Sequence, residues 1–217
     1  MQDAVEKNLF LELGERSFNE MQASKGLKGR ESRERIMAAA AYEFACHGFH
    51  ETKISSIVSR AGLTQPAFYL YFSSKEAIFN ELVDDFRSRL FRLTEELRLT
   101  AGMRKEELAQ QTLGAVTALF RFLAEDPNLT RIGLFQAHDA EQCKEAAISL
   151  VTENLLAEQQ AGYYRTELNM SIVAASIVGM IERLTATCLL PGAYEPEVIA
   201  KEIMNLLMYG MTTALES

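Results

Sequence analysis

The sequence predicts an all-α protein: an N-terminal head of three helices holding a helix-turn-helix, and a larger helical body. Three observations carry this. Apolar residues recur at spacings of three and four along most of the 217 residues, the mark of helices with one buried face. No stretch alternates apolar and polar as a half-buried strand would. Prolines number only four (Pro66, Pro127, Pro191, Pro196), and each falls where a helix can start or stop.

The elements run in order. Residues 1–29 form an arm or extra helix; Phe10, Leu13, Phe18 and Met21 lie near one helical face, but Gly14 weakens its middle. The head is expected over 30–76. Its first helix runs from about Glu31 to Cys46, with Ile36, Met37, Ala40, Ala41 and Phe44 as the inward stripe, and stops at Gly48. Thr52 is the expected N-cap of a second helix, where Ile54, Ile57, Val58 and Ala61 share a face. Gly62-Leu63 is a turn, and Thr64 caps a third short helix that tolerates Pro66 in its first turn. Ser73 or Ser74 caps a long fourth helix, with Ile78, Leu82, Phe86, Leu90, Leu93 and Leu97 inward and Arg87, Arg89, Arg92 and Arg98 solvated. The body, 77–217, continues with helices near 104–124, 128–138, 141–161, 168–190 and 195–215.

Composition narrows the class. A hydrophobic share of 48% with 24% charged residues is that of an ordinary globular protein. No run reaches the roughly 18 consecutive apolar residues of a membrane span, and the N-terminus lacks the pattern of a secretory signal, so a cytoplasmic protein is expected. Cys46, Cys143 and Cys188 are far apart and odd in number, and His47, His50 and His138 lack ligand spacing. Neither a disulfide framework nor a metal site is expected, and no cofactor is called for. The net charge is −8, but eight basic residues face five acidic ones between Lys25 and Glu76. That segment is +3, which leaves −11 for the rest: a mildly basic head on an acidic body, a footprint compatible with DNA.

Three short helices with a glycine turn between the second and third describe a helix-turn-helix. Ile36, Ala40, Phe44, Ile54, Ile57, Leu63, Phe68 and Phe72 would fill its core. Gln65 and Tyr69, four apart, share the opposite side of the third helix, with Thr64 at its exposed start. A helix presented this way reads base edges with its N-terminal residues: glutamine pairs with adenine, and a threonine methyl meets a thymine methyl. Tyr69, Lys75, Thr52 and Lys53 would reach phosphates, and Tyr71 is left between packing and backbone contact. Surface residues of a plain helical bundle would look much the same.

The residues from about Arg33 to Phe79 resemble the DNA-binding head of the TetR family of bacterial transcription regulators. The matching pieces are Phe44-Ala45-Cys46-His47-Gly48-Phe49, Thr52, Ile57-Val58, Ala61-Gly62-Leu63 and Phe68-Tyr69-Leu70-Tyr71-Phe72-Ser73-Ser74-Lys75-Glu76. The resemblance implies phosphate contacts by Tyr69 and Lys75, a backbone contact by Thr52, and base readers at Thr64 and Gln65. Pro66-Ala67 departs from the small pair often seen there, and Val58 from the usual alanine.

One head touches few bases, so specific binding calls for a homodimer on a palindromic operator. Ser171, Ala175 and Gly179, spaced by four, and Ile203, Leu207 and Gly210 are the candidate dimer surface; a deep intramolecular core is the alternative. The resemblance favours the dimer and implies a small-molecule pocket in the body. Met103, Phe120, His138, Tyr163, Met170, Met180 and Arg183 are candidate lining residues for a hydrophobic effector, although methionines are also ordinary core filler. The expected function is a ligand-responsive regulator, a repressor released by its effector. The alternative is a helical small-molecule-binding protein without sequence-specific DNA binding. An enzyme is not expected: no Ser/His/Asp or Cys/His arrangement, GxGxxG, GxxxxGK[ST] or HExxH is present.

Overall fold

A computed structural model describes residues 28–96 and 104–211, and helices are the only regular secondary structure among them. The expected helix before residue 24, Leu97, Arg98 and Met103 lie outside these residues. Contacts divide the chain into two units, the first ending at Asn80 and the second beginning at Glu81.

In the first unit α1 covers 28–51, passing three residues beyond the predicted stop at Gly48. Helix α2 is Ile54–Ala61, α3 is Gln65–Tyr69, and α4, Lys75–Glu96, starts here and supplies its later turns to the second unit. Ile36, Ala40, Phe44, Ile57, Phe68, Phe72, Ile78 and Phe79 are buried, while Ile54 and Leu63 are only half-buried. Phe79 meets Phe44 edge-on at 5.0 Å and Phe49 at 4.9 Å, which locks the start of α4 against the end of α1.

The turn between α2 and α3 depends on Gly62, whose φ of 64° is left-handed. It lets the Leu63 N–H reach back to the Val58 carbonyl at 2.9 Å, so the end of α2 is satisfied. A side chain on Gly62 would also run into the Arg35 guanidinium, which donates to the carbonyls of Ala61 and Gly62. Glu43 is buried, and its carboxylate accepts from Arg60 Nε at 2.6 Å, joining α1 to α2. Arg60 in turn stacks over Tyr42 at 3.6 Å.

The second unit continues α4 and adds α5, Lys105–Glu125; α6, Pro127–Arg131; α7, Ala140–Gln160; α8, Met170–Leu184; and α9, Pro196–Tyr209. Two π-helical turns interrupt the regular pattern, Ile132–Gln136 after α6 and Thr185–Leu189 after α8. Asp126 caps α6 by accepting from the Asn128 and Leu129 N–H groups, and Asn169 caps α8 in the same way. Helix α5 packs on α9, and α7 on α8. Phe120, Leu123, Ile132, Met170, Ala174, Ile199, Ala200 and Ile203 lie within this core. At Gly133 the π turn passes so close to the Phe86 ring of α4 that no Cβ fits between them.

Two arginines of α4 read as solvated from the sequence are paired instead. Arg87 holds Asp139 with both terminal nitrogens, at 2.7 and 2.8 Å, and Arg89 holds Glu125 at 2.8 Å. The Arg87 guanidinium beside Asp139 lowers its carboxyl from 3.8 to about 2. Two neighbouring charged residues lie in the otherwise apolar α8: Glu182 accepts from Lys144 of α7 at 2.5 Å, and Arg183 is exposed.

By length and composition alone, Met170–Leu189 is long and apolar enough to cross a membrane, and most of it is not buried within the chain. Counting consecutive apolar residues missed this, because Ser, Thr and Gly and the Glu182-Arg183 pair break the run.

Candidate nucleic-acid interface

Helix α3 has a buried side and an outward side. Phe68 is fully buried and Phe72 nearly so, 5.6 Å apart between ring centres. Thr64, Gln65, Pro66 and Tyr69 are exposed on the other side. The Thr64 carbonyl starts the helix by accepting from Ala67 and Phe68 N–H at 3.0 and 3.3 Å. Its hydroxyl makes no cap bond, contrary to the capping expected of it, so it is not engaged at the helix end. Lys53, exposed, occupies the N-cap position of α2 that had been expected of Thr52.

Thr52 is placed otherwise than the sequence suggested. It is 2% exposed, and its hydroxyl donates to the Gly48 carbonyl at 2.7 Å and lies 3.1 Å from that of Glu43. A hydroxyl turned into the fold closes the corner between α1 and α2 and offers nothing outward. Lys75 is also turned inward. Its ammonium donates to the carbonyls of Phe49, Thr52 and His50 at 2.7, 2.9 and 3.3 Å and sits 4.5 Å from the centre of the Phe49 ring. An ammonium has three N–H groups, and three carbonyls take them. Tyr71 is half-buried with its hydroxyl beside Gly29 of α1, and Arg33 stacks over Phe72 at 5.0 Å.

At the α4 start, Ser74 is the cap: its oxygen accepts from the Ala77 N–H at 3.1 Å. The Glu76 carboxyl next to it is held below its ordinary range by its own backbone N–H, the Ser74 hydroxyl and Lys75. The helix start is thereby fixed with Lys75 aimed at the end of α1.

The candidate residues of the body are scattered in character. Phe120 and Met170 are closed core, Tyr163 and Met180 are half-buried, and His138 and Arg183 project into solvent. His138 and Arg183 therefore do not line an enclosed site within this chain. A polar cluster was missed one residue from Tyr163: the half-buried Tyr164 phenol lies near Glu158 of α7 and Thr112 of α5. Burial, then the Glu158 charge, pushes the phenol up, and burial also raises the Glu158 carboxyl. Of the expected dimer residues, Ser171, Ala175, Gly179 and Gly210 are exposed and Leu207 is 42% exposed. Ile203 is not: it is buried within its own chain, because its stripe of α9 faces inward.

A helix-turn-helix whose second helix buries phenylalanines and exposes glutamine, threonine and tyrosine defines a DNA-binding protein. The chain belongs to the TetR family of transcriptional regulators. The sequence profile described as "Bacterial regulatory proteins, tetR family" matches residues 36–82. A Bacillus subtilis protein described as "Uncharacterized HTH-type transcriptional regulator YdgC" is 52% identical over 184 residues, covering 85% of this chain and 94% of that one. The Bacillus subtilis "Fatty acid metabolism regulator protein" is 24% identical over 186 residues, covering 81% and 93%. The solved structure of the transcriptional regulator FadR from Bacillus subtilis in complex with stearoyl-CoA shares the fold. Its TM-score is 0.64 at 20% identity, with 82% of this chain and 99% of that one covered.

Proposed function

We propose that this regulator binds a palindromic operator as a homodimer, represses from it, and is released by a hydrophobic small molecule in the body. The observation that carries the DNA reading is the two-sidedness of α3, with Phe68 and Phe72 inward and Thr64, Gln65 and Tyr69 outward. Thr64 and Gln65 meet base edges, and Tyr69 and Lys53 meet phosphates. Tyr71 acts at the backbone from its place beside α1. Thr52 and Lys75 contribute by fixing the corner between α1 and α2 rather than by touching DNA.

Dimerisation is supported by what α8 and α9 leave uncovered. Ser171, Ile172, Ala175 and Gly179 are exposed on a helix that is mostly apolar, and Ile172 is 65% exposed. Val198, Leu206, Leu207 and Tyr209 add exposed apolar surface on α9. Exposed apolar surface of this kind marks an interaction site, and a second copy, presenting the same residues, closes it as an isologous pair. This reading places the protein in the cytoplasm, with its membrane-like helix covered by its partner.

A hydrophobic effector is favoured by the phenylalanine and methionine side chains, such as Phe120 and Met170, in the interior of the body, and a long-chain acyl thioester is the first class to test, because the similarly folded FadR is complexed with stearoyl-CoA. Such a ligand acts only through its differential affinity for DNA-competent and incompetent arrangements of the two heads.

The test is fluorescence anisotropy of the full chain with genomic fragments, including its own upstream region, at several salt concentrations. Salt-dependent, palindrome-specific binding that is weakened by an acyl thioester is expected. Binding to none of the fragments would sink the regulator reading and leave the small-molecule-binding alternative.

A further inference from the structure

Leu70 is 80% exposed, more than any other large apolar side chain described in the head. Its φ of −72° and ψ of −23° continue the helical path of α3, so it stands one turn beyond Pro66 on the same side. Pro66 is exposed as well. The outward side of α3 therefore has two strips. Gln65 and Tyr69, four apart, make a polar one; Pro66 and Leu70, also four apart, make an apolar one beside it. The core has no use for Leu70, since Phe68 and Phe72 occupy the inward side.

The major groove offers an apolar strip one complementary group. Base edges there present hydrogen-bond donors and acceptors, except for the C5 methyl of thymine. A leucine against that methyl removes apolar surface from water on both partners. Against cytosine the methyl is missing and an amino donor is left without an acceptor. We propose that Leu70, backed by Pro66, recognises thymine by its methyl group within each half-site, a specificity contribution separate from the hydrogen bonds of Gln65. The inference rests on α3 being the helix that enters the groove.

The experiment uses the full chain and the tightest duplex it selects from a randomised DNA library. Each thymine is replaced in turn by deoxyuridine, which removes the methyl alone, and affinities are measured for the wild type and for Leu70→Ala. At one or two positions per half-site, wild-type binding is expected to weaken about three- to fivefold, the effect of withdrawing one methyl from an apolar contact. Leu70→Ala should bind more weakly overall and be indifferent to the methyl at those positions, while Leu70→Met keeps the response. Wild-type affinity that ignores every deoxyuridine, a half-site without thymine, or equal responses in wild type and Leu70→Ala would each overturn the inference and leave DNA reading by α3 intact. Failure to select any duplex would instead bring down the regulator reading, and this inference with it. Because Leu70 is 80% exposed, Leu70→Ala keeps the fold, and Leu70→Gln, scanned in the same way, confirms that a response lost in both belongs to Leu70 and not to the Thr64 methyl.

Discussion

The Lys75 ammonium donates to the Phe49 carbonyl at 2.7 Å, from the first turn of α4 to the last turn of α1. With the Thr52 and His50 carbonyls it completes a three-way clamp at the negative end of α1, where a cation is favoured. Lys75→Met should cost about 1.5–3 kcal/mol of stability, the range for hydrogen bonds made by a charged group. It should also weaken binding to all DNA sequences while leaving the slope of log affinity against log salt nearly unchanged. Lys53→Ala should do the reverse: no loss of stability, and a slope lower by about one, the mark of a lost phosphate contact. Denaturant melts and salt titrations separate the two. A slope that drops by one in Lys75→Met would make Lys75 a phosphate contact after all.

Gln65→Ala should relax preference at one base position per half-site, by about 1–3 kcal/mol, without altering discrimination elsewhere. Selection and sequencing of bound duplexes for both proteins would reveal it. An unaltered preference would remove Gln65 from the readers.

Gly133→Ala places a methyl where the Phe86 ring already lies. Overpacking of this kind costs about 1–3 kcal/mol, seen as a lower melting temperature. Phe86→Leu in the same chain should restore part of it, since the smaller side chain vacates the space. A Gly133→Ala protein as stable as the wild type would mean that the π turn shifts freely.

Asp139→Asn tests the bond to Arg87. The folded-state pKa of Asp139 is depressed, so its contribution is present above the ordinary 3.8 and fades as pH falls through about 2. The variant should be less stable by about 0.5–1 kcal/mol at neutral pH, a modest figure because the carboxylate is partly exposed. The difference should shrink toward pH 2. Equal stability at pH 7 would assign the pair no energetic role.

Gly179→Leu should split the dimer if α8 lies against its counterpart, because the exposed glycine leaves room for close helix approach. Sedimentation of both proteins at matched concentration reads the outcome. An unchanged dimer would move the interface elsewhere.

Much of the fold was legible in the sequence. Phe44, Phe68 and Phe72 are buried as their spacing required, and Pro127 and Pro196 open helices as proline does best. The failures share a cause: they turn on contacts between residues far apart in sequence. The burial of Glu43 left no sign in the sequence, because Arg60, its partner, lies 17 residues on. Lys75 read as a phosphate contact because the carbonyls that take its protons, two in the last turn of α1 and one at Thr52, lie 23 to 26 residues earlier. Ile203 read as interface because a helix apolar on several sides does not declare which side its own chain covers. The π turns left no trace, since apolar spacing tolerates one extra residue in a loop of the ladder.

In α8 that extra residue sets direction. Within Thr185–Leu189 the backbone closes a wider loop, with the Leu190 N–H bonded to the Thr185 carbonyl at 2.9 Å. Deleting one residue there would restore the ordinary ladder but turn the helix on its N-terminal side by about 100° relative to the C-terminal side. Ser171, Ala175 and Gly179 would then point a quarter-turn away from their present direction, while Leu189 and the connection to α9 stayed put. The bulge thus works as a phase setting, and the orientation of the uncovered face is written in the residue count between Gly179 and Leu189 as much as in the identity of the residues on it.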